Sequence, residues 1–224
     1  VAKFSLTTLF QELGYGTKIL FREASLKRAL LLSFAEAIAG AAAIVASVVY
    51  IKDVLLLSET SFVLVMVGLG LGSTITALVL GKLTGRYESL ANNNLELHGR
   101  RHRWTERALL VGGLILGLLL LPGFLKPGLA IFAILWFLNG VGQVLIAISS
   151  TTLLAEHTGE SERGRGYAAH FAWTHAFWLV TYPAIGHGVA RLGVPWTFTL
   201  AGVVCLVITA FSFYSMKVTL DHQH

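Results

Sequence analysis

Apolar residues dominate six long blocks of this chain, at 27–51, 61–83, 106–125, 128–153, 166–190 and 195–217. Each reaches or approaches the roughly 20 residues that a helix needs to cross about 30 Å of hydrocarbon. The pattern therefore predicts an all-α integral membrane fold with six transmembrane helices. Ahead of them, residues 1–26 interleave Phe4, Leu9, Phe10, Leu13, Ile19, Leu20 and Phe21 with Lys3, Lys18 and Arg22, broken near Gly14 and Gly16. Such a mixture fits an amphipathic linker that lies on the membrane. Residues 218–224 form a short polar tail.

Polarity is unevenly shared among the six blocks, and it has an order. The third is almost wholly Leu, Ile, Val and Gly from Leu109 to Leu121, and the sixth offers only scattered Thr and Ser beside Cys205. The first, second, fourth and fifth hold the polar and small residues. A helix that is apolar all round can face lipid, whereas polar stripes and glycines need protein or water beside them. Two triplets result, each with an apolar third member, packed as a 3+3 bundle around a polar interior.

Composition supports the membrane assignment and charge adds an orientation. The 224 residues are 55% hydrophobic and 13% charged, with a mean hydropathy of +0.71, too apolar for an ordinary soluble domain. The net charge of +5 sits in the connections, which argues against a nucleic-acid partner and for a lipid bilayer. The N-terminal segment, the 82–107 and 154–165 connections and the C-terminus hold 14 Lys and Arg, and the alternate connections hold 3. This bias predicts both termini in the cytoplasm, in a bacterial inner (plasma) membrane. Cys205 is alone, so no disulfide or paired thiolate site is expected, and neither is a cofactor. The chain starts at Val1, which fits a segment of a longer protein.

Several buried polar groups are candidates for chemistry. Glu36 lies within an alanine-rich stretch of the first block, where an acid near the helix centre costs about 2.5 to 3.5 kcal/mol. Proton coupling or cation binding is one reading, and an acid that reaches headgroup water is the other. Gly68, Gly72 and Thr76 recur every four residues in the second block, a spacing that lets helix backbones approach closely. Beside them, Ser73 raises the alternative of a six-helix intramembrane serine protease with a histidine base. On the fourth block Trp136, Asn139, Gln143 and Ser150 fall within about 60° of one another, a single stripe able to meet a solute or bond a neighbouring helix. On the fifth, His170, Thr174, Trp178 and Thr181 share a sector of about 80°, while His175 lies about 140° from His170. The two imidazoles therefore cannot chelate one ion as an i, i+4 pair, and each would need partners on other helices to serve as a metal ligand. Tyr182-Pro183 should kink this helix. The tail Asp221-His222-Gln223-His224 offers two further imidazoles or a solvated end.

Two basic turns complete the set. Gly81-Lys82-Leu83-Thr84-Gly85-Arg86 closes the second block, and Ser161-Glu162-Arg163-Gly164-Arg165-Gly166 opens the fifth. Arg86, Arg163 and Arg165 can bond helix C-terminal carbonyls or pair with acids such as Glu156 and Glu160, with Glu162 part of the same latch. A plain charge anchor is the alternative.

Residues 162–166 resemble the loop before the eleventh helix of the major facilitator superfamily, and 81–86 resembles a degenerate form of its Gly-x-x-x-Asp-x-x-Gly-Arg loop, with Thr84 near the place of the aspartate. The amphipathic start resembles the linker between that family's two halves. The resemblance implies the C-terminal six-helix half of a secondary transporter, partnered by an N-terminal half. It also implies that the first and fourth spans line a central cavity, the second and fifth flank it, and the third and sixth face lipid. More narrowly, His170 to Pro183 is similar to exporters of the nickel-resistance type, which implies efflux of nickel or cobalt. The expected substrate path is Glu36, Trp136, Asn139, Gln143, His170, Thr174, His175 and Trp178, with His170 and His175 as metal contacts. The expected activity is proton-coupled antiport of a small solute or metal ion without enzymatic catalysis. A drug or metabolite exporter, the protease and a stand-alone dimeric membrane protein are the rivals.

Overall fold

The computed structural model describes residues 6–91 and 95–221, with side chains over 10–85 and 99–216. The side chain of Arg86 and the histidines of the tail, His222 and His224, lie outside the described residues. The described chain forms seven helices: α1 (Leu6–Leu20), α2 (Ala24–Val54), α3 (Glu59–Ala91), α4 (Leu95–Leu120), α5 (Leu129–His157), α6 (Glu160–Leu192) and α7 (Val194–Asp221). Two π-helical turns, Ala42–Ala46 and Tyr50–Val54, widen α2. A 3₁₀ turn at Leu121–Leu125, with Pro122 inside it, follows α4. Acidic residues open α6 and Arg191 sits in its last turn, both favourable to the helix dipole. The helix stops at Gly193, whose φ of 77° disfavours a side chain.

Five segments are long and apolar enough to cross a membrane: Ala24–Val54, Glu59–Gly85, Gly99–Leu125, Leu129–His157 and Val194–Met216. The expected fifth span, on α6, is not among them. Its 33 residues are ample, but imidazoles, hydroxyls, glycines and arginines dilute its apolar content. It nonetheless runs beside α2, with Phe34 and Phe177 rings 5.1 Å apart.

α2 is the axis of the bundle and packs against α4, α5, α6 and α7. Small residues make this centrality feasible. Ala35, Ala39, Ala42, Ala43 and Ala46 are fully buried, and the thiol of Cys205 on α7 approaches the Ala35 carbonyl at 3.4 Å. At one end Tyr50, Phe132, Trp136 and Phe198 interlock with ring centroids 4.0–5.9 Å apart, and the Tyr50 hydroxyl donates to the Pro127 carbonyl. The centre of the described bundle is thus alanine and aromatic rather than polar. Polar groups follow the seams between helices instead.

The apolar helices α4 and α7 behave as expected on only one side. Val111, Leu114 and Leu118 on α4 and Val203, Val204 and Val207 on α7 are exposed, but the opposite faces pack on each other at Gly117, Leu206 and Gly202. The least enclosed helix is α3. Its contacts concentrate on α5, where Gly72 lies against the Phe137 backbone and Gly140 lies against Leu69 and Ser73. A Cβ at either glycine would collide with main chain, so this crossing requires glycine on both helices.

Candidate functional site

Three contacts set the relative depth of the polar groups. The Ser33 and Ser150 hydroxyls are 3.5 Å apart and align α2 antiparallel to α5. The Thr181 hydroxyl donates to the Ala37 carbonyl at 3.2 Å and Trp178 covers Gly40, while Phe34 meets Phe177 and Val45 meets Gly186, so α6 runs parallel to α2. Glu36 lies on the α2 face carrying Ser33 and Gly40, offset from them by about 60° and 40°. Both offsets run to the same side around the helix axis, so α5 and α6 border one flank of the acid. Among the described residues the Glu36 carboxyl has no hydrogen-bonding or ionic partner.

On α5, Gln143 donates its amide to the Asn139 Oδ1 at 2.6 Å. Asn139 is fully buried and its Nδ2 has no partner, whereas Gln143 is half-buried. The antiparallel register places Gln143 near the depth of Gly40, about one turn from Glu36. Trp136 departs from this stripe: it is 1% exposed, and its ring belongs to the aromatic knot with Phe132 and Phe198. On α6, Trp178 stacks with Tyr182 at 5.2 Å and covers Gly40, beside the acid. The Thr174 hydroxyl turns back to the Phe171 carbonyl of its own helix at 2.9 Å.

The two expected metal contacts occupy different surroundings. His170 is half-buried and its Nε2 is buried without a partner. His175 is exposed, with Nδ1 2.8 Å from the Phe171 carbonyl and its ring stacked on Phe171 at 3.8 Å. Among the described residues, three metal-ligating side chains come together elsewhere, at His102, Glu156 and His157.

Residues 161–166, expected as a turn ahead of the helix, are the opening of α6 itself, and they grip α1. Glu162 accepts from the Tyr15 hydroxyl at 2.5 Å and from Arg22 at 3.3 Å, and Arg165 pairs with Glu12 at 2.5 Å while lying over the Tyr15 ring. The Tyr15 bond, aided by Arg22, holds the Glu162 carboxyl below its ordinary range, and the same carboxylate raises the Tyr15 phenol. Arg163 reaches the Ala155 and Thr158 carbonyls at 3.3 and 3.5 Å, the expected bonding of a helix C-terminus. The acids named for this latch divide differently: Glu156 turns to Arg101 at 3.3 Å and His102 at 3.1 Å. α1 is fastened further by the Trp173 indole, which donates to Thr17 at 3.2 Å, and by Gly16 against the Arg165 carbonyl.

Sequence reasoning missed the buried ion pair between Arg28 and Glu106, whose side chains are 9% and 11% exposed. Arg28 enters the sequence reading only within the count of Lys and Arg, and Glu106 does not enter it. Their places in the opening turns of two apolar blocks were the available signal. Ser73 is occupied in packing, its hydroxyl donating to the Gly140 carbonyl at 3.3 Å.

Comparison with known proteins agrees with this architecture. No curated protein and no solved structure matches the chain. Residues 29–222 match the family model described as Major Facilitator Superfamily, which covers all six of the long helices from α2 onward apart from their outermost turns. An all-helical bundle, apolar spans and a family match over most of the sequence converge: this is an integral membrane protein that belongs to the Major Facilitator Superfamily of transporters.

Proposed function

We propose that the chain forms a six-helix, 3+3 half of a secondary transporter that exports a small solute by alternating access, with α6 as the fifth of its six spans and the arginine-rich end in the cytoplasm. The unpartnered carboxyl of Glu36, bordered by α5 and α6 on the axial helix, carries this reading. An acid held there without a cation is suited to exchange a proton as the cavity opens to either side. Asn139, Gln143 and Trp178 supply amide and aromatic contacts near its depth, and Thr174 and His170 extend the path toward the arginine-rich end. The grip of Glu162 and Arg165 on α1 stabilises one closed arrangement, with Arg163 anchoring the adjoining helix end.

A divalent metal such as nickel or cobalt is the second reading of the solute, favoured by the buried, unpartnered Nε2 of His170. His175 would then meet the ion as it reaches the exposed face of α6. An organic drug or metabolite would instead depend on Trp178 and the amides.

Accumulation of nickel, cobalt and a cationic dye, measured in cells with and without the full-length protein, separates these readings. Export predicts lower accumulation of one probe, abolished by Glu36→Gln at equal membrane abundance. Loss of metal export in His170→Ala and His175→Ala supports the metal reading, whereas retained dye export in both variants supports the organic solute. Export unaffected by Glu36→Gln would refute the assigned role of the acid.

A further inference from the structure

We propose a divalent transition-metal site at the arginine-rich end of the bundle, formed by His102 of α4 with Glu156 and His157 of α5. One donor atom from each of the three residues lies within 4.8 Å of the other two. His102 Nδ1 and Glu156 Oε2 are already 3.1 Å apart, close to the roughly 3.3 Å between ligands of a tetrahedral zinc ion with bonds near 2.0–2.1 Å. The two imidazole rings are adjacent, with centroids 5.3 Å apart and planes inclined at 58°. This proposal concerns a site remote from Glu36 and stands whether or not the transported solute is a metal.

The surroundings prepare each ligand. His157 Nδ1 lies 2.8 Å from the Leu153 carbonyl, which makes it the protonated nitrogen and leaves the Nε2 lone pair for a metal. The Ser25 hydroxyl of α2 donates to that Nε2 at 3.2 Å and turns aside as a metal takes the lone pair. Arg101 holds the other oxygen of Glu156 at 3.3 Å and fixes the carboxylate plane. These are the outer contacts that orient ligands in metal sites. Arg28 is neutralised by Glu106, so that guanidinium does not oppose the ion. Access comes from a neighbouring cavity of about 390 Å³ that His102 and His157 both line. Two imidazoles and one carboxylate select zinc, nickel or cobalt over magnesium and calcium, which prefer all-oxygen shells.

The full-length protein, purified in detergent and stripped with chelator, tests the assignment by titration with Zn²⁺ and by the visible spectrum of bound Co²⁺. One equivalent of each metal is expected, with a Co²⁺ spectrum of mixed nitrogen and oxygen ligation. His102→Ala and His157→Ala should each weaken Zn²⁺ binding at least tenfold, while His187→Ala, at an exposed imidazole on α6 outside both sites, leaves it unchanged. Because an alanine variant can disturb the bundle, His157→Cys provides the second arm: it should retain the equivalent and shift Co²⁺ absorption to the intense charge-transfer bands of a thiolate. Binding that survives both alanine changes, or that His187→Ala weakens as much, overturns the site. So does a folded His157→Cys protein without thiolate bands.

Discussion

Removing Glu106 should expose the energetic character of the arginine-rich end. Its carboxylate pairs with Arg28 where α2 meets α4, and both side chains are about nine-tenths buried. Arg28 Nη1 has no other partner, so Glu106→Gln leaves a guanidinium charge out of water with only a neutral amide beside it. Breaking one member of such a pair costs about 3–5 kcal/mol, whereas replacing both by apolar residues of similar volume is often neutral or stabilising. His102, 3.9 Å from the same carboxylate, is itself a base and cannot neutralise the guanidinium left behind. Reversible unfolding in mixed detergent micelles, run as a double-mutant cycle, gives the comparison. Glu106→Gln and Arg28→Met should each lose about 3 kcal/mol, and Arg28→Met with Glu106→Leu should recover most of it. Single changes that cost under about 1 kcal/mol, or a double change costing their sum, would refute a buried, mutually dependent pair.

Other expectations follow from the helix crossings and from the α1 contact. Gly72→Leu or Gly140→Leu should prevent folded protein from accumulating, because the new side chain meets main chain, while Gly70→Ala at an open position should leave yield unchanged on a gel-filtration assay. Ser73→Ala removes one hydroxyl-to-carbonyl bond and should cost about 1 kcal/mol with transport retained, whereas loss of activity with intact folding would favour a catalytic serine. The depressed Glu162 carboxyl gives α1 docking that is complete above its ordinary value of 4.5 and lost as pH falls through the lower folded value. Hydrogen exchange in α1 should therefore accelerate in acid below that ordinary value, and Glu162→Gln should abolish the pH dependence. Gly40→Val should displace Trp178 and reduce transport several-fold without removing the protein from the membrane, a result that unchanged transport would contradict.

The family and the helical order were legible because hydrophobic length and glycine spacing are local properties. Gly68 and Gly72 announced a close helix crossing, and the crossing with α5 needs Gly72 as a glycine. The stripe on α5 was also readable from a 100° rotation, but it could not distinguish solute from core. Trp136 shares the face of Asn139 yet enters the aromatic knot, since depth along the bundle depends on which helices arrive at that level. The same limit hid His102 and His157. Their residues are 55 apart in sequence, and only the docking of α4 against α5 makes them neighbours. Arg165 was assigned to acids nearby in sequence, whereas tertiary contacts bring it Glu12 of α1 and bring Glu162 to Tyr15 of α1 and to Arg22 just beyond it.

The pairing of α3 with α5 also sets a timetable for biosynthesis. The glycine on α5 that accepts α3 is made about 70 residues after its counterpart, and at 5–20 residues per second the wait is about 3 to 14 s. Until then α3 has inserted without its chief neighbour, and α4 has passed through the insertion machinery between them. The nascent chain must therefore keep a laterally open intermediate with the α3 glycine face exposed to lipid or to a membrane chaperone. A pause in translation before α5 would prolong that state, making degradation or wrong helix pairing a matter of elongation rate as much as of final stability.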